Sequence, residues 1–90
     1  MNLGQAIRDI RKGKGIKAKE LASMSGLSKT ALTNIEKNRS FPTKPTIDIL
    51  CQSLGVSVGA LMIHCLTEED VPMEKREAFR VLIEPLKNML

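Results

Sequence analysis

Aromatic residues are almost absent from this sequence. It contains no tryptophan and no tyrosine, and its only two phenylalanines are Phe41 and Phe79. Proteins that bind single-stranded nucleic acid stack the bases on aromatic side chains. Two rings cannot form such a surface, so single-stranded nucleic-acid binding, and an RNA-recognition sheet in particular, are excluded.

Cysteine and histidine are also scarce, with only Cys51, Cys65 and His64. These residues are too few to cross-link a small secreted fold or to enclose a zinc ion. We interpret the cysteines as core thiols and His64 as an ordinary helix residue. Paired carboxylates on a shared apolar face, a glycine-rich phosphate loop and metal-ligand spacings are missing too. We therefore expect no enzyme activity, no cofactor and no metal.

Long apolar runs do not occur either. No segment approaches the roughly 18 residues of a membrane span, and the first twenty residues lack an apolar segment of signal-peptide length. We therefore expect a cytoplasmic location and no membrane partner. The 90 residues, of which 42% are hydrophobic and 27% charged, fit one folded domain.

What the sequence does contain is an uneven distribution of charge. Residues 1–46 contain ten basic and three acidic residues, whereas residues 47–90 contain four basic and seven acidic residues. This asymmetry predicts that the first half faces phosphate and the second half does not. The alternative is that the charges are simply solvated.

The spacing of the apolar residues predicts an all-α fold. They recur at steps of three and four, and strand signals are nearly absent. Five helices are predicted in residues 1–66, then an acidic connector at 67–71 and a helix from Pro72 to Leu90. The inner faces of the first five are Leu3/Ile7/Ile10, Ala18/Leu21/Ala22, Ala31/Leu32/Ile35, Ile47/Leu50/Cys51/Leu54 and Val58/Leu61/Met62/Cys65.

The second and third helices form the most specific pattern. Ala22 is small enough for the two helices to touch, Gly26 allows a tight turn, and Ser28 is a good N-cap for the third helix. The outer face of that helix is entirely polar. A helix held in this way can project its polar face into the major groove of DNA.

These residues resemble a known family. Ala22, Gly26, Leu27-Ser28, Ile35-Glu36, Pro42 and Leu54-Gly55-Val56-Ser57 are similar to the lambda-repressor-like (Xre/Cro) helix-turn-helix pattern over about residues 3–66. The resemblance implies a five-helix DNA-binding domain in residues 1–66. Residues 67–90, the connector and the C-terminal helix, lie outside it.

The resemblance also implies which residues contact DNA. Lys29, Thr30 and Asn34 would read bases, with Thr33 close by. Lysine donates to guanine, asparagine bonds adenine and a threonine methyl touches the thymine methyl. A merely solvated face is the alternative. Phosphate contacts are expected from Ser28, Lys17, Lys19, Lys37, Arg39 and Lys44.

Arg11 and Glu36 match a salt bridge found in some members, which links the first helix to the end of the third, the recognition helix. One position departs from the family. Many members have glutamine at the start of the second helix, where it binds phosphate, but this chain has Ala18. The departure shifts the expected phosphate contacts toward Lys17 and Lys19.

The last helix allows two interpretations. Its apolar stripe must be buried against something, either its own domain or a second subunit. We favour dimerisation, because so small a domain reads only a short half-site. The residues of the predicted interface are Phe79, Leu82, Ile83, Leu86 and Leu90.

The sequence therefore predicts a transcriptional regulator that binds specific double-stranded DNA, as a dimeric repressor of a palindromic operator. Autoregulation of the phage-repressor or restriction-modification-controller type is an analogy. The alternative is an interaction protein with the same fold, either an antitoxin that binds a small toxin or a coactivator.

Overall fold

The computed structural model describes all of residues 1–90 and contains helices but no strand, which confirms the all-α prediction. Two 3-10 turns, Glu68–Asp70 and Met73–Lys75, connect the last two helices. The helices are α1 (Leu3–Gly13), α2 (Ala18–Met24), α3 (Lys29–Glu36), α4 (Lys44–Leu54), α5 (Val58–Cys65) and α6 (Arg76–Met89).

One core joins the first five helices. Each of them contributes a side chain with no exposed surface, and these side chains are Ile7, Leu21, Leu32, Leu50 and Leu61. Both cysteines belong to the same core. Burial raises the pKa of the Cys51 and Cys65 thiols, which keeps them protonated.

Two details of the predicted elements are wrong. Val58 was expected to face inward but is 38% exposed, and Ala60 is buried instead. The reason is that α5 begins at Val58, after the N-cap Ser57, so Val58 lies in the first turn at the surface. The last helix begins at Arg76 rather than at Pro72, which precedes the second 3-10 turn.

The turn between α2 and α3 sets the position of α3. Gly26 has φ +68°, a left-handed conformation that glycine adopts easily because it has no Cβ. The Leu27 N–H donates to the Ala22 carbonyl at 2.9 Å. Ala22 is 3% exposed, since α2 and α3 pack closely there. The Ser28 hydroxyl oxygen accepts from the Ala31 N–H at 3.0 Å and caps α3 as expected.

The C-terminal helix α6 packs against α5 and the first 3-10 turn. Ile83 is 8% exposed and Phe79 is half-buried, so these two residues serve the intramolecular contact. Leu82, Leu86 and Leu90, the other three residues of the predicted interface, remain exposed. Pro85 lies inside α6, where it removes one backbone hydrogen bond.

The connector is fixed to the N-terminus and to α6. The Met1 ammonium donates to Asp70 at 2.9 Å, and this contact holds the pKa of that carboxyl below its ordinary value. Arg80 of α6 pairs with Glu68 and lowers the pKa of the Glu68 carboxyl in the same way. None of the six helices combines the length and the apolar composition of a transmembrane segment; α4 and α5 meet both criteria only together, across a 98° bend.

Candidate DNA interface

The outer face of α3 carries the four candidate base-reading residues. Lys29 and Thr30 are exposed, and Thr33 and Asn34 are half-buried. They occupy two successive turns of one side of the helix, because residues three and four apart are neighbours on a helix surface. Leu32 and Ile35 lie on the opposite side in the core. The structure therefore places all four on one polar surface.

Ser28 lies at the N-terminal end of the same surface. Its oxygen is the acceptor in the cap of α3, but its hydroxyl hydrogen is free to donate. A phosphate at this end would also meet the unpaired N–H groups of the first turn of α3. Capping and a phosphate contact are therefore compatible at Ser28.

Arg11 and Glu36 form a buried ion pair between α1 and the last residue of α3. Arg11 Nε lies 2.8 Å from Glu36 Oε2 and Nη2 lies 3.0 Å from Oε1, with side-chain exposures of 10% and 8%. Arg11 Nη1 also donates to the Ile16 carbonyl at 2.9 Å. This bidentate geometry fixes the orientation of α3 relative to α1.

A second contact between α1 and the end of α3 was not anticipated from the sequence. Asn38, at φ +58°, accepts from the Gly4 N–H at 3.0 Å and donates to Asn2 Oδ1 at 2.8 Å. The backbones approach so closely that a methyl group at Gly4 would lie 2.5 Å from the Ile35 carbonyl oxygen. The only signal was a glycine inside the first turn of a helix.

The basic residues around α3 differ in availability. Lys17, Lys19, Lys37 and Arg39 are exposed and form no ion pair. Lys44 lies in α4 rather than in the preceding loop, and its Nζ is 3.1 Å from Asp48 Oδ2. A phosphate at Lys44 would therefore compete with that carboxylate.

The start of α2 is capped from within the helix. Lys17 is the N-cap residue and its side chain makes no capping bond, but its N–H donates to Glu20 Oε1 at 3.3 Å. Ala18, where the family often has glutamine, is the first residue of α2 and has no polar group to offer. Side-chain contacts with phosphate at this point depend on Lys17 and Lys19.

No group of three or more histidine, cysteine, aspartate or glutamate side chains could hold a metal ion. His64 is half-buried, and the resulting desolvation lowers the pKa of its imidazole. The polar face of α3 and the basic residues beside it are therefore the strongest candidate site.

Several known proteins are similar to this chain in sequence. A protein-family model described as "Helix-turn-helix" matches residues 7–61. The immunity repressor protein of Bacillus phage phi105 is 34% identical over 62 residues, which are 69% of this chain and 43% of the phage protein. The ImmF control region 10 kDa protein of the same phage is 34% identical over 59 residues, 66% of each chain. The chain thus spans 43% and 66% of these curated relatives.

Two solved structures have a fold similar to that of this chain. Two crystal structures of the clp gene regulator ClgR from Corynebacterium glutamicum have TM-scores of 0.71 and 0.73 and identities of 29% and 28%. The first match covers 80% of this chain and 91% of that chain, and the second covers 96% and 92%. The second similarity therefore includes most of α6.

Proposed function

Since this chain belongs to the lambda-repressor-like helix-turn-helix family of transcriptional regulators, we propose that it represses transcription as a homodimer bound to a palindromic DNA operator. The family is one of regulators and not of enzymes. The observation that carries the proposal is the polar face of α3, exposed on one side and fixed to α1 through Glu36 and Asn38 on the other.

The shape and chemistry of α3 fit the major groove. An α-helix with its side chains is about 10–12 Å across, which matches a major groove about 12 Å wide, and the eight residues of α3 would lie along that groove. Lys29 at the N-terminal end offers donors to guanine, Asn34 offers the donor and acceptor pair that adenine matches, and the Thr30 and Thr33 methyl groups fit thymine. Rigid attachment of α3 holds these groups in one register.

Phosphate contacts surround this helix in the proposal. Ser28 lies at the N-terminal end of α3, and Lys37 and Arg39 follow its C-terminal end. Lys17 follows Ile16, whose carbonyl oxygen accepts from Arg11, the partner of Glu36 at the C-terminal end of α3. Such contacts fix the position of a protein on the duplex without reading sequence.

The exposed side of α6 supports the homodimer. Leu82 is 64% exposed, Leu86 39% and Met89 81%, and their spacing of four and three residues makes them neighbours on one helix face. An apolar helix face of this kind is typical of an interaction surface. Pairing of two chains would place two α3 helices about one DNA turn apart, which corresponds to a palindromic site.

The name of the phage phi105 relative, an immunity repressor, supports repression rather than activation. We extend this to autoregulation, in which the protein limits its own synthesis. A second candidate, an interaction protein with a small basic partner, is favoured by the groove on α6 where Glu74 and Glu77 border Val81 and Leu82.

Selection of binding sites from random duplex DNA tests the base-reading part of the proposal. The full-length chain is expected to enrich a palindrome, and Asn34→Ala to lose preference at one position of each half-site. The physical reason is the loss of a bidentate contact worth about 1–3 kcal/mol. Sequencing of the bound pools at one fixed salt concentration provides the measurement.

The matched control is Asn88→Ala, the same chemical change at an exposed position of α6. It should select the same palindrome as the native chain. If the native chain enriched no sequence and instead co-purified with a small basic protein, the operator proposal would be overturned in favour of the interaction protein.

Leu82→Asp tests the homodimer. A carboxylate on the exposed apolar face of α6 should shift the molar mass from dimer toward monomer and weaken binding to the palindrome. Light scattering after size exclusion measures the mass. Because Leu82 is exposed, the helical circular dichroism spectrum should not change.

Ile49→Asp is the control for this experiment, since Ile49 is an exposed apolar residue of α4 outside the proposed interface. Its mass should equal that of the native chain. A Leu82→Asp variant that stayed dimeric would place the subunit contact elsewhere.

A further inference from the structure

Asn2 contacts the ends of three different helices. Its side-chain oxygen accepts from the Gln5 N–H at 3.0 Å, which caps the start of α1, and from the Asn38 side chain at 2.8 Å, just beyond the end of α3. Its own N–H donates to the carbonyl of Cys65, the last residue of α5, at 2.9 Å. Capping of α1 requires only the first of these contacts, so the other two need a separate explanation.

The contact with Cys65 lies where the chain leaves the common core. Leu66, the next residue, is extended, so α5 ends there and the chain continues into the connector. The residue before Asn2 is attached to that connector, because the Met1 ammonium donates to Asp70 at 2.9 Å. The first two residues therefore hold both the end of α5 and the 3-10 turn that follows it.

The connector in turn holds α6. Arg80 of α6 pairs with Glu68, and its Nη2 donates to Glu68 Oε2 at 3.1 Å. Ile83 is the only buried side chain of α6, so the direction of this helix depends on the polar attachment more than that of the other helices does. A series of polar contacts thus runs from Asn38, beside the base-reading helix, through Asn2 and the connector to α6.

We propose that Asn2 is a positioning residue that fixes α3 relative to α6 and thereby sets the spacing between the two half-sites of the operator, an inference that rests on the proposed function. In a two-fold dimer paired through α6, a shift of α3 occurs in both subunits, so the distance between the two α3 helices changes by up to twice that shift. Each base pair adds about 3.4 Å to the duplex, so a shift of about 1.7 Å per subunit favours a different spacing.

The chemistry of Asn2 predicts which substitutions keep this role. Both contacts of its side chain use the oxygen Oδ1 as acceptor. Aspartate supplies the same acceptor and is also favourable at the start of a helix, whereas alanine supplies none. Asn2→Asp should therefore retain the contact with Asn38, and Asn2→Ala should lose it while the backbone contact with Cys65 remains.

The test compares duplexes that differ only in spacing. Full-length variants are titrated with the palindrome that the native chain selects and with versions whose centre is one base pair longer or shorter. The native chain is expected to prefer the selected spacing about tenfold. Asn2→Ala should lower this ratio about threefold or more, because two hydrogen bonds are lost, and Asn2→Asp should keep it. Fluorescence anisotropy at one fixed salt concentration gives each Kd.

A duplex with a single half-site separates positioning from a general loss of structure. Asn2→Ala should bind it within about twofold of the native chain, because Arg11 and Glu36 still hold α3 on α1. Asn88→Ala, the same change at an exposed position of α6, should keep the native spacing ratio.

A second variant breaks the contact from its other side. Asn38→Gly removes the side chain that donates to Asn2, and glycine adopts the φ of +58° at this position easily. The cap of α1 stays in place, so this variant should lower the spacing ratio as Asn2→Ala does. Thermal melting of both variants confirms that they are folded at the temperature of the titration.

The outcomes distinguish this role from the function on which it rests. An unchanged spacing ratio in Asn2→Ala and Asn38→Gly would overturn the positioning role and leave the operator function standing. A loss of affinity by one common factor for every duplex, the single half-site included, would also overturn it, because Asn2 would then act on stability or on α3 alone. If the native chain selects no DNA, the proposed function itself fails.

Discussion

Replacement of Gly4 by alanine should destabilise the protein by about 3 kcal/mol, at the upper end of the range for overpacking. The added methyl group would lie 2.5, 2.6 and 2.7 Å from the carbonyl oxygens of Ile35 and Glu36 and from Asn38 Oδ1. Two of these atoms are backbone and cannot rotate away. The gain of about 1 kcal/mol in helix propensity is too small to offset this clash.

The same substitution at Gly13 is the control. Gly13 is the last residue of α1, and nothing lies within 4 Å of a methyl group built there. Gly13→Ala should therefore leave stability unchanged or raise it by up to about 1 kcal/mol. Urea unfolding followed by circular dichroism measures both. Equal stability of the Gly4→Ala variant and the native chain would contradict the close approach of α1 to the end of α3.

Replacement of Glu36 by alanine should cost about 3–5 kcal/mol, because it leaves the Arg11 guanidinium buried without its partner. The Arg11 side chain is only 10% exposed, so water cannot replace the carboxylate. The double variant Arg11→Met/Glu36→Met should recover most of this loss, since apolar residues of similar volume often replace a buried ion pair without cost. The measurement is the free energy of unfolding in urea of the native chain, of Glu36→Ala and of the double variant.

An exposed ion pair provides the comparison. Lys44 and Asp48 have side-chain exposures of 82% and 49%, so Asp48→Ala should change the free energy of unfolding by less than about 1 kcal/mol. If Glu36→Ala cost no more than Asp48→Ala, the pair between α1 and α3 would not be the rigid link that the geometry indicates. Operator binding by the double variant then measures how far orientation of α3, apart from stability, depends on the pair.

Much of the fold follows from local patterns in the sequence. The spacing of Ile7, Leu21 and Leu32 predicts helices with one inner face, and the structure buries all three. Gly26 and Ser28 identify the turn and the cap before α3, because both act within a few residues of themselves. The polar face of α3 follows from the same periodicity.

Features that depend on distant parts of the chain could not be predicted in this way. The approach of Gly4 to Asn38 joins residues 34 positions apart, and no local pattern encodes it. One local feature was also missed. The ion pair of Lys44 with Asp48, four residues apart, was not expected because a proline at position 45 indicated a loop, whereas a proline also fits the first turn of a helix. The periodicity showed that α6 has one apolar side, but it could not show which of the apolar residues pack within the chain and which remain exposed.

The first five helices and α6 are held in the fold by very different amounts of buried surface. The first five helices share one core, so α3 keeps its shape for as long as the whole core stays folded. The last helix adds only one buried side chain, Ile83, to the chain. Loss of the Ile83 contact would remove no side chain from the core that holds α3. Assembly can therefore change through substitutions in α6, in nature or in design, while the groove-facing surface stays intact.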